Sequence, residues 1–394
     1  MLDVMLCFHI HQPYRLCTIR LFDRCAEFFD NGLNRAVLEK VSQACYAPAS
    51  NMLGGLAERY SKDFKCAFSI TGTVVEQLKM WNPDVLERLR GLASTSSVEL
   101  IGETYYHSLF SLFDREEFIY QVSQHAAMMK REFSALPTVF RNTELLYEDR
   151  VSDYLGSFDQ YRVLLCEDVA ADQIAARSPQ LSYNDLHLLL FRDHVLTDDI
   201  AFRFSNHEQP NHVLTADTFF SRLRQCEELL DDSRDPLVLL YMDYETLGEH
   251  HRESDGIFTF FQDMAESILS STHMRFSFPS DSLRQPRDQM NRVSVKRPVS
   301  WADSEKDLSA WLSSDLQKNA MNTMLEVWAR AKRRGDEDLL ERMRRLSSSD
   351  HLYYMYPWKG GADAEVHRHF SPYDSPEEAY MRYMAALAAL ELQL

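Results

Sequence analysis

Ionisable side chains occur in five clusters, each close behind a short apolar run. The clusters are His9-Ile-His11-Gln12-Pro13, Glu103 to His107, Arg141 to Glu144, Asp198 to Arg203, and Asp243 to His250. Carboxylates and imidazoles that meet in one cleft can exchange protons with a substrate, and a carboxylate can also act as a nucleophile. Two carboxylates on either side of one bond, with aromatic rings nearby, suit hydrolysis of a glycosidic bond. The 18 Tyr and 23 Phe of the chain could provide those rings.

In such a pair, one carboxylate attacks and the other stays protonated, so burial or a nearby like charge must raise the pKa of the second. Glu245 lies two residues after Asp243 and would share its side of a strand end. We therefore expect repulsion between these two carboxylates to help keep one of them protonated.

Seven short apolar runs predict the strands that position these clusters. They are Asp3–His9, Lys65–Ile70, Val98–Gly102, Thr138–Arg141, Tyr161–Cys166, Leu186–Phe191 and Leu237–Met242. Most are apolar throughout, which is typical of parallel strands that are buried on both faces. Apolar residues at helical spacing lie between them over Val74–Leu89, Glu116–Phe133 and Thr218–Leu230. The alternation predicts a parallel α/β sheet, either a nearly closed barrel or an open doubly wound sheet. In a barrel, catalytic groups follow the carboxyl ends of the strands.

The pattern changes after Phe278. Ser280–Ser300 is polar and resembles a connector, and helical patterns follow it. Met321, Leu325 and Trp328 would share one helix face, Glu337–Leu346 predicts another helix, and Ser375-Pro376 opens a third with N-terminal capping residues. We therefore predict a barrel over residues 1–282 and a C-terminal helical domain over residues 283–394.

Composition excludes several classes of function. The chain of 394 residues has 42 Lys and Arg against 60 Asp and Glu, a net charge of −18, which disfavours nucleic acid or an anionic membrane as partner. No apolar stretch is long enough to span a membrane, and no glycine-rich phosphate loop follows a strand. The start of the chain lacks a signal-peptide pattern, and the seven cysteines form no C-x-x-C pair. We expect a cytoplasmic protein with reduced thiols.

The clusters resemble the consecutive sequence regions of glycoside hydrolase family 57. The segments HIHQPYR, IGETYYHSLF, FRNTELLYED and YMDYETLGEHH carry the resemblance, which is strongest to the α-amylase-like branch. It continues in WADSEKDLSAWLSSDLQ, DHLYYM and HRHFSPYDSPEEA and so covers nearly the whole chain. The resemblance implies an α/β fold, an incomplete (β/α)7 TIM-like barrel with a C-terminal helical domain that contributes to the substrate cleft. It also implies a retaining mechanism on α-1,4-glucans or maltooligosaccharides, without a cofactor or metal.

The resemblance also implies roles for individual residues. Glu144 matches the nucleophile and Asp243 the acid/base. Further residues are expected to contact the sugar: His9, His11, Glu103, His107, Asp199 and Trp311. In several non-amylase branches of the family a tryptophan stands three residues before the nucleophile, and here Arg141 takes that position. This difference weakens a transferase or branching-enzyme interpretation.

Three alternative functions remain open from the sequence. The first is a 4-α-glucanotransferase on the same scaffold, because subsites choose between water and sugar as acceptor. The second is a catalytically weak glucan-binding protein, since Ser313-Ser314 replaces a Gly-Asn pair that is usual in amylase-like members. The third is a metal-dependent deacetylase or mannosidase, in which His9 and His11 would bind zinc.

Several site residues also have a purely structural interpretation. Glu144 could pair with Arg141, Glu103 could accept a hydrogen bond from the His11 ring, and Asp199 could pair with Arg203. The pairs His250-His251 and His367-x-His369 are expected to be loop or helix-surface residues rather than ligands.

Overall fold

The computed structural model describes residues 1–19, 27–168, 181–205, 214–229, 236–286, 290–358 and 362–394. Its central strand β1, Leu2–Ile10, is buried along its whole length, as its apolar sequence predicts. The other strands are β2 Cys66–Ile70, β3 Val98–Ile101, β4 Val139–Arg141, β5 Val163–Glu167, β6 Leu181–Tyr183, β7 Leu188–Arg192, β8 Leu237–Asp243, β9 Met274–Phe276 and β10 Asn291–Arg292. The seven predicted strands are all present, with ends that differ by at most two residues.

Seven parallel strands form a nearly closed barrel, which confirms the predicted fold class. β1 pairs with β2 on one side and β8 on the other, and β2 continues to β3. β4 pairs with β5, and β5 with β7. Two joins are narrow: Gly102 bridges Phe140 between β3 and β4, and Arg192 opposite Leu239 is the one register pair between β7 and β8. A barrel with two such narrow joins is held less firmly there than along the β8–β1–β2 side.

Three further strands lie at the margins of the barrel and have no counterpart among the predicted runs. β6 is antiparallel to β7, β10 extends it, and β9 pairs with the first residues of β1. β10 belongs to the predicted connector, whose residues Val293, Val295 and Val299 are buried. The connector is therefore packed against the barrel. None of the helices that the structure describes has the length and apolar composition needed to cross a membrane.

Helices follow the barrel strands and fill the C-terminal region. They are Asn31–Val41, Ala47–Tyr60, Gly72–Trp81, Pro83–Ala93, Arg115–Phe133, Asp149–Leu155, His194–Ala201, Ala216–Leu229, Ile257–Leu269, Ser309–Leu312, Asp315–Arg334, Glu337–Leu346, Ser349–Tyr353, Ala362–Phe370 and Pro376–Glu391, with a π turn at Ser42–Tyr46. The expected helix over Val74–Leu89 is wrong as one unit. It breaks at Asn82, because Pro83 starts a new helix and cannot donate a hydrogen bond to the preceding turn.

Polar residues define the starts of the C-terminal helices. The Ser375 side chain accepts a hydrogen bond from the Glu378 backbone N–H, as its sequence predicts. Ser314 caps the helix Asp315–Arg334 in a capping box with Gln317, and Ser313 also donates to Gln317. The Ser-Ser pair that departs from the amylase-like pattern therefore has a structural role as a helix start.

Three apolar clusters hold these layers together. Alternate residues of the strands, among them Met5, Cys7 and Leu239, fill the barrel interior. The opposite face of β1 and β2 packs against the early helices and against Ile257–Leu269. The outer face of β4, β5 and β7 packs against the C-terminal helices. Because the C-terminal helices share this cluster with three barrel strands, they are fixed beside the strand ends.

Candidate active site

The barrel interior ends in a layer of polar side chains. Side chains alternate along each strand, so the residue two positions after an inward apolar residue also points inward. His9 follows Cys7 in this way, Arg141 follows Val139, and Asp243 follows Tyr241. His9 lies opposite Asp243 in the β1–β8 register and opposite Ser69 in the β1–β2 register. The strand pattern therefore brings ionisable groups from several strands to one rim.

Glu144 follows β4 in a left-handed backbone conformation, with φ of 58°, which is uncommon for a non-glycine residue. Three side chains donate hydrogen bonds to its carboxylate. His107 Nε2 lies 3.0 Å and Ser349 Oγ 2.9 Å from Oε1, and the Trp301 indole Nε1 lies 2.7 Å from Oε2. These donors come from the β3 loop, the C-terminal helices and the connector, so three parts of the chain hold one carboxylate.

This environment keeps Glu144 ionised. Burial by itself would raise the pKa of the carboxyl, but the hydrogen bond and charge of His107, the charge of Arg141 and the indole N–H outweigh it. Together they lower the pKa of Glu144 to about 2. Burial also opposes protonation of His107, yet the Glu103 carboxylate, 3.7 Å from Nδ1, and the hydrogen bond from Nε2 to Glu144 raise the pKa of His107 to about 9. The two residues thus form an ion pair at neutral pH.

Asp243, the last residue of β8, has the opposite environment. Burial first, and then the negative charge of Glu144, raise the pKa of Asp243 to about 6, although Arg141 and His107 act against this shift. The two carboxylates therefore interact electrostatically. Glu245 has turned away to accept hydrogen bonds from Tyr46 and Gln12. Burial, and then the charge of Asp243, raise its pKa to about 8, so the repulsion expected between this pair is present but bears mainly on Glu245.

The turn after β8 depends on Gly248 and on its contact with the π turn Ser42–Tyr46. Gly248 has φ of 109°, and a Cβ atom there would lie 2.0 Å from the carbonyl oxygen of Ala44. Cys45 Sγ, in the π turn Ser42–Tyr46, donates to the carbonyl of Tyr244 over 3.0 Å. The extra residue of a π turn is often found at functional sites, and here it places Tyr46 on Glu245.

The three histidines of the first and second clusters stack in the site. The His11 and His107 rings are 4.1 Å apart, and those of His9 and His107 are 5.0 Å apart. His11 is bonded on both nitrogens, to Thr71 and to Asp350, each over 2.9 Å. Burial and the charge of His107 lower the pKa of His11, so it is neutral beside a charged His107. His9 is bonded to Ser69 over 3.0 Å, while its Nε2 has no partner among the described residues.

Glu103 and Arg141 form the buried floor of the site, and both side chains are fully inaccessible. Arg141 Nη1 lies 3.4 Å from Glu103 Oε2 and 3.4 Å from His107 Nδ1. The expectation that Glu103 accepts a hydrogen bond from the His11 ring is wrong, because its ion-pair partners are Arg141, His107 and His9. Similarly, Arg141 forms its ion pair with Glu103 rather than with Glu144, and it lowers the pKa of Glu144 through its charge.

The C-terminal region supplies three site residues that the sequence reasoning missed: Trp301, Ser349 and Asp350. Trp301 and Asp350 stand in segments that carry the family resemblance, WADSE and DHLYYM, and Ser349 directly precedes DHLYYM, so a signal for the first two was present without an assigned role. The Trp301 ring lies under two guanidinium groups, 5.3 Å from Arg141 and 5.7 Å from Arg192. These cation–π contacts orient the indole toward Glu144.

The turn that carries Trp301 is fixed from the C-terminal side. His367 is fully buried and bonds both oxygens of Asp303, at 2.8 and 3.0 Å, and the carbonyl of Tyr353. Lys306 donates to the Trp301 carbonyl over 2.9 Å. The expectation that His367 is a surface residue is therefore wrong. His251 lies in a loop, as expected, but it is buried and bonded to Ala201 and Ser205.

Two predicted substrate contacts lie elsewhere. Trp311 was expected to reach the cleft, but it has no exposed surface and packs in the cluster between the barrel and the C-terminal helices. Its short helix Ser309–Leu312 turns the apolar ring toward the core, where burial of a large aromatic side chain is favourable. Asp199 pairs with Arg203, two residues beyond the end of its own helix, and with Arg222, so it is a structural ion-pair residue.

The histidine cluster has the composition of a zinc site, because ring nitrogens of His9, His11 and His107 lie within 4.8 Å of one another. The ring nitrogens of His11 and His107 already have other partners. His11 uses both, and His107 is bonded to Glu144 and close to Arg141. A cation here would displace those bonds and face the charge of Arg141. The donor set therefore does not fit a metal.

A seven-stranded barrel with carboxylates at its carboxyl rim and C-terminal helices beside it defines a sugar-hydrolase type of scaffold. The sequence matches the family model of glycosyl hydrolase family 57 over residues 5–296. The chain therefore belongs to glycosyl hydrolase family 57 and is a glycoside hydrolase. A protein of Methanocaldococcus jannaschii named "Putative alpha-amylase" is 34% identical over 403 residues, which cover 98% of this chain and 83% of that protein.

Solved structures with the same fold are distant in sequence. A branching enzyme of Thermococcus kodakaraensis is 14% identical with a TM-score of 0.68, over 93% of this chain and 88% of that one. A 4-alpha-glucanotransferase of Thermococcus litoralis is 14% identical with a TM-score of 0.65, over 89% of this chain and 56% of that one. The chain thus spans little more than half the length of the glucanotransferase. At these identities the similarity establishes the fold alone.

Proposed function

We propose that this glycoside hydrolase cleaves α-1,4-glucans and maltooligosaccharides with retention of configuration, with Glu144 as nucleophile and Asp243 as acid/base. The observation that carries the proposal is that the pKa values of two carboxylates at one rim are shifted in opposite directions. The pKa of Glu144 is lowered to about 2 and that of Asp243 is raised to about 6. A retaining mechanism needs one carboxylate ionised and the other protonated when substrate binds.

In the first step, a Glu144 oxygen attacks the anomeric carbon while Asp243 gives its proton to the departing glycosidic oxygen. The glycosidic bond breaks as an ester bond forms between the sugar and Glu144. In the second step, the Asp243 carboxylate takes a proton from water, and the resulting hydroxide attacks the anomeric carbon and releases Glu144. Neither step needs a metal or an organic cofactor.

The donors around Glu144 support both steps. The hydrogen bonds from His107, Ser349 and Trp301 keep the carboxylate ionised before attack, and they stabilise it again as it leaves the sugar. Oε2 accepts only the indole N–H among the described side chains, so it keeps more lone-pair capacity for bond formation than Oε1. Retention requires the two carboxyl groups to be about 5–5.5 Å apart. The charge of Glu144 raises the pKa of Asp243, which supports an electrostatic interaction between the two groups.

The same geometry suggests which residues contact the sugar. His11 and Asp350 are bonded to each other and keep 9% and 18% of their side-chain surfaces accessible, so both can reach a hydroxyl group. Glu103 has no accessible surface and would act on the substrate only through His107 and Arg141. A neutral sugar also suits a protein of net charge −18, since it is not repelled.

The deciding experiment is incubation with maltoheptaose, followed by chromatography, for wild type and Glu144→Gln. Products that are only shorter than the substrate, absent for the variant, support a hydrolase. Products both shorter and longer identify a 4-α-glucanotransferase on the same catalytic pair. No conversion by either protein overturns the enzymatic proposal for linear α-1,4-glucans and favours a glucan-binding protein. NMR of the first product tests stereochemistry, since retention releases the α-anomer.

A further inference from the structure

A second cluster of ionisable residues lies at the carboxyl ends of β5 and β7. Glu167 is the last residue of β5, Asp168 follows it, and His194 is the first residue of the helix after β7. One carboxylate oxygen of each acid and one ring nitrogen of His194 lie within 4.8 Å of one another. Sequence reasoning assigned no role to any of these three residues, and the proposed hydrolysis does not use them.

Two oxygen atoms of this cluster lack a hydrogen-bond partner. Glu167 has no exposed surface, and its Oε1, like Asp168 Oδ1, is buried and has no partner within the described parts of the chain. The other two oxygens are bonded, Glu167 Oε2 to Arg192 over 3.2 Å and Asp168 Oδ2 to His194 Nδ1 over 2.6 Å. An ionised carboxylate oxygen that is buried without a partner is costly, so such a pair calls for a cation or a proton donor.

We propose that Glu167, Asp168 and His194 bind a divalent cation of the Mn²⁺ or Zn²⁺ class. Carboxylate oxygen and imidazole nitrogen are the ligands that such ions accept together. Three protein ligands leave further positions for water. The inference concerns a different part of the rim from Glu144 and Asp243, and it is independent of the function proposed for those residues.

The surrounding charges favour this site. Asp193 and Asp198 add two acidic groups to the cluster, against the cationic Arg192 and Lys306. Arg192 bonds Glu167 Oε2, the oxygen that already has a partner, and it also pairs with Asp198. It can therefore orient Glu167 as a ligand without binding the cation itself.

The histidine cluster provides the contrast. Its ligand atoms are equally close together, but those of His11 and His107 are already hydrogen-bonded. In the Glu167 cluster the carboxylate oxygens Oε1 and Oδ1 have no hydrogen-bond partner within the described parts of the chain, although Asp168 Oδ2 is bonded to His194. A cation there would also tie the end of β5 to the helix after β7, beside Arg192, which lies over the Trp301 ring. Its role would thus be to stabilise this side of the barrel, where β7 meets β8 at one register pair.

The test uses the full-length protein, stripped of metal with a chelator and then titrated with Mn²⁺ alone while the EPR signal of free Mn²⁺ is followed. We expect one ion to bind per chain and the melting temperature to rise. Asp168→Asn and His194→Gln should each weaken Mn²⁺ binding by about tenfold or more. Two ligand variants are used because His194 is 38% exposed and tolerates substitution even if Asp168→Asn does not fold. The matched control, His11→Gln, changes the other cluster and should bind Mn²⁺ like wild type.

Three outcomes would overturn the proposal. One is the absence of stoichiometric binding of Mn²⁺, and of Zn²⁺ in a parallel dialysis measured by elemental analysis. Another is unchanged binding in His194→Gln, and a third is loss of binding in His11→Gln, which would place the ion in the histidine cluster. The readouts are binding and melting temperature, so failure here is distinguishable from failure of the catalytic proposal, which concerns sugar products.

Discussion

Glu144 and Asp243 are the same kind of acid at the ends of two strands of one barrel, yet their surroundings have opposite effects. Three donors, one of them the cationic His107, and the nearby charge of Arg141 surround Glu144, whereas no described side chain donates a hydrogen bond to Asp243, which faces the charge of Glu144. Burial raises the pKa of both, and only Glu144 has donors that reverse it. The comparison shows that the number of hydrogen-bond donors and the nearby charges, rather than the residue type, decide which carboxylate stays ionised and which takes up a proton more readily.

The largest expected effect distinguishes the nucleophile Glu144 from the acid Asp243 by comparing two substrates with different leaving groups. Glu144→Gln should lower kcat/KM on the order of 10⁴-fold or more for maltoheptaose and for an aryl maltoside alike, because both need the nucleophile. Asp243→Asn should lower kcat/KM by about 10²- to 10⁴-fold with maltoheptaose. It should lose much less in the first step with the aryl maltoside, whose phenolate departs without a proton. Initial rates and the aryl burst measure this difference.

A control for this prediction is Glu253→Gln, which removes an exposed carboxylate ten residues after Asp243 and should leave both rates unchanged. Equal losses in Asp243→Asn for the two substrates would contradict the assignment of Asp243 as acid.

Trp301→Phe should weaken the stabilisation of the ionised Glu144 carboxylate. It removes the indole N–H 2.7 Å from Oε2 and keeps an aromatic ring under Arg141 and Arg192. A hydrogen bond to a charged group is worth about 1.5–3 kcal/mol, so we expect kcat/KM to fall by about 10 to 100-fold. The pKa of Glu144 should rise, which moves the acidic limb of the pH–rate profile to higher pH.

Trp311 provides the matched variant for that test. Trp311→Phe lies in the core, away from the carboxylates, and should reduce the free energy of unfolding in a denaturant titration without moving either limb. A shift of the acidic limb in Trp311→Phe and none in Trp301→Phe would exchange the roles that the structure gives these two tryptophans.

His107→Asn should move both limbs of the pH–rate profile in the same direction. The wild-type rate should fall as pH rises through about 6, because Asp243 loses the proton that it must donate. Removal of the His107 cation raises the pKa of Glu144, which loses a donor, and that of Asp243, which loses a neighbouring positive charge. Both limbs should shift upward, by about one pH unit. Asn is chosen because it tolerates the left-handed backbone at φ of 54°. A downward shift of either limb would contradict this electrostatic account.

The smallest effect is expected for Glu245→Gln. The pKa of Glu245 is raised to about 8, so it is mostly neutral where Asp243 titrates near pH 6. Removing its charge should therefore move the basic limb by less than about 0.3 units. A downward shift of a full unit, measured in the same pH–rate series, would show that Glu245 rather than Glu144 keeps Asp243 protonated.

Much of the rim was predictable from strand patterns. The runs before His9, Arg141 and Asp243 are apolar and short, and their strands end within two residues of the predicted positions. Side-chain alternation could also have singled out Glu167 and Arg192, which continue the inward positions of β5 and β7. The donors from the C-terminal region were not predictable in this way. Ser349 is 205 residues from Glu144 along the chain, and no local pattern records that contact.

The sequence alone determined the seven parallel strands, the family with the barrel that it implies, and the two candidate carboxylates, because these depend on local periodicity and on motifs of neighbouring residues. Only the tertiary structure decided which carboxylate is held ionised and which of two tryptophans reaches it. Protonation depends on donors and charges that arrive from distant segments, and the direction of a ring depends on the surface against which its short helix packs. Trp301 and Trp311 stand ten residues apart in one resembling segment, and packing sends one to Glu144 and the other into the core.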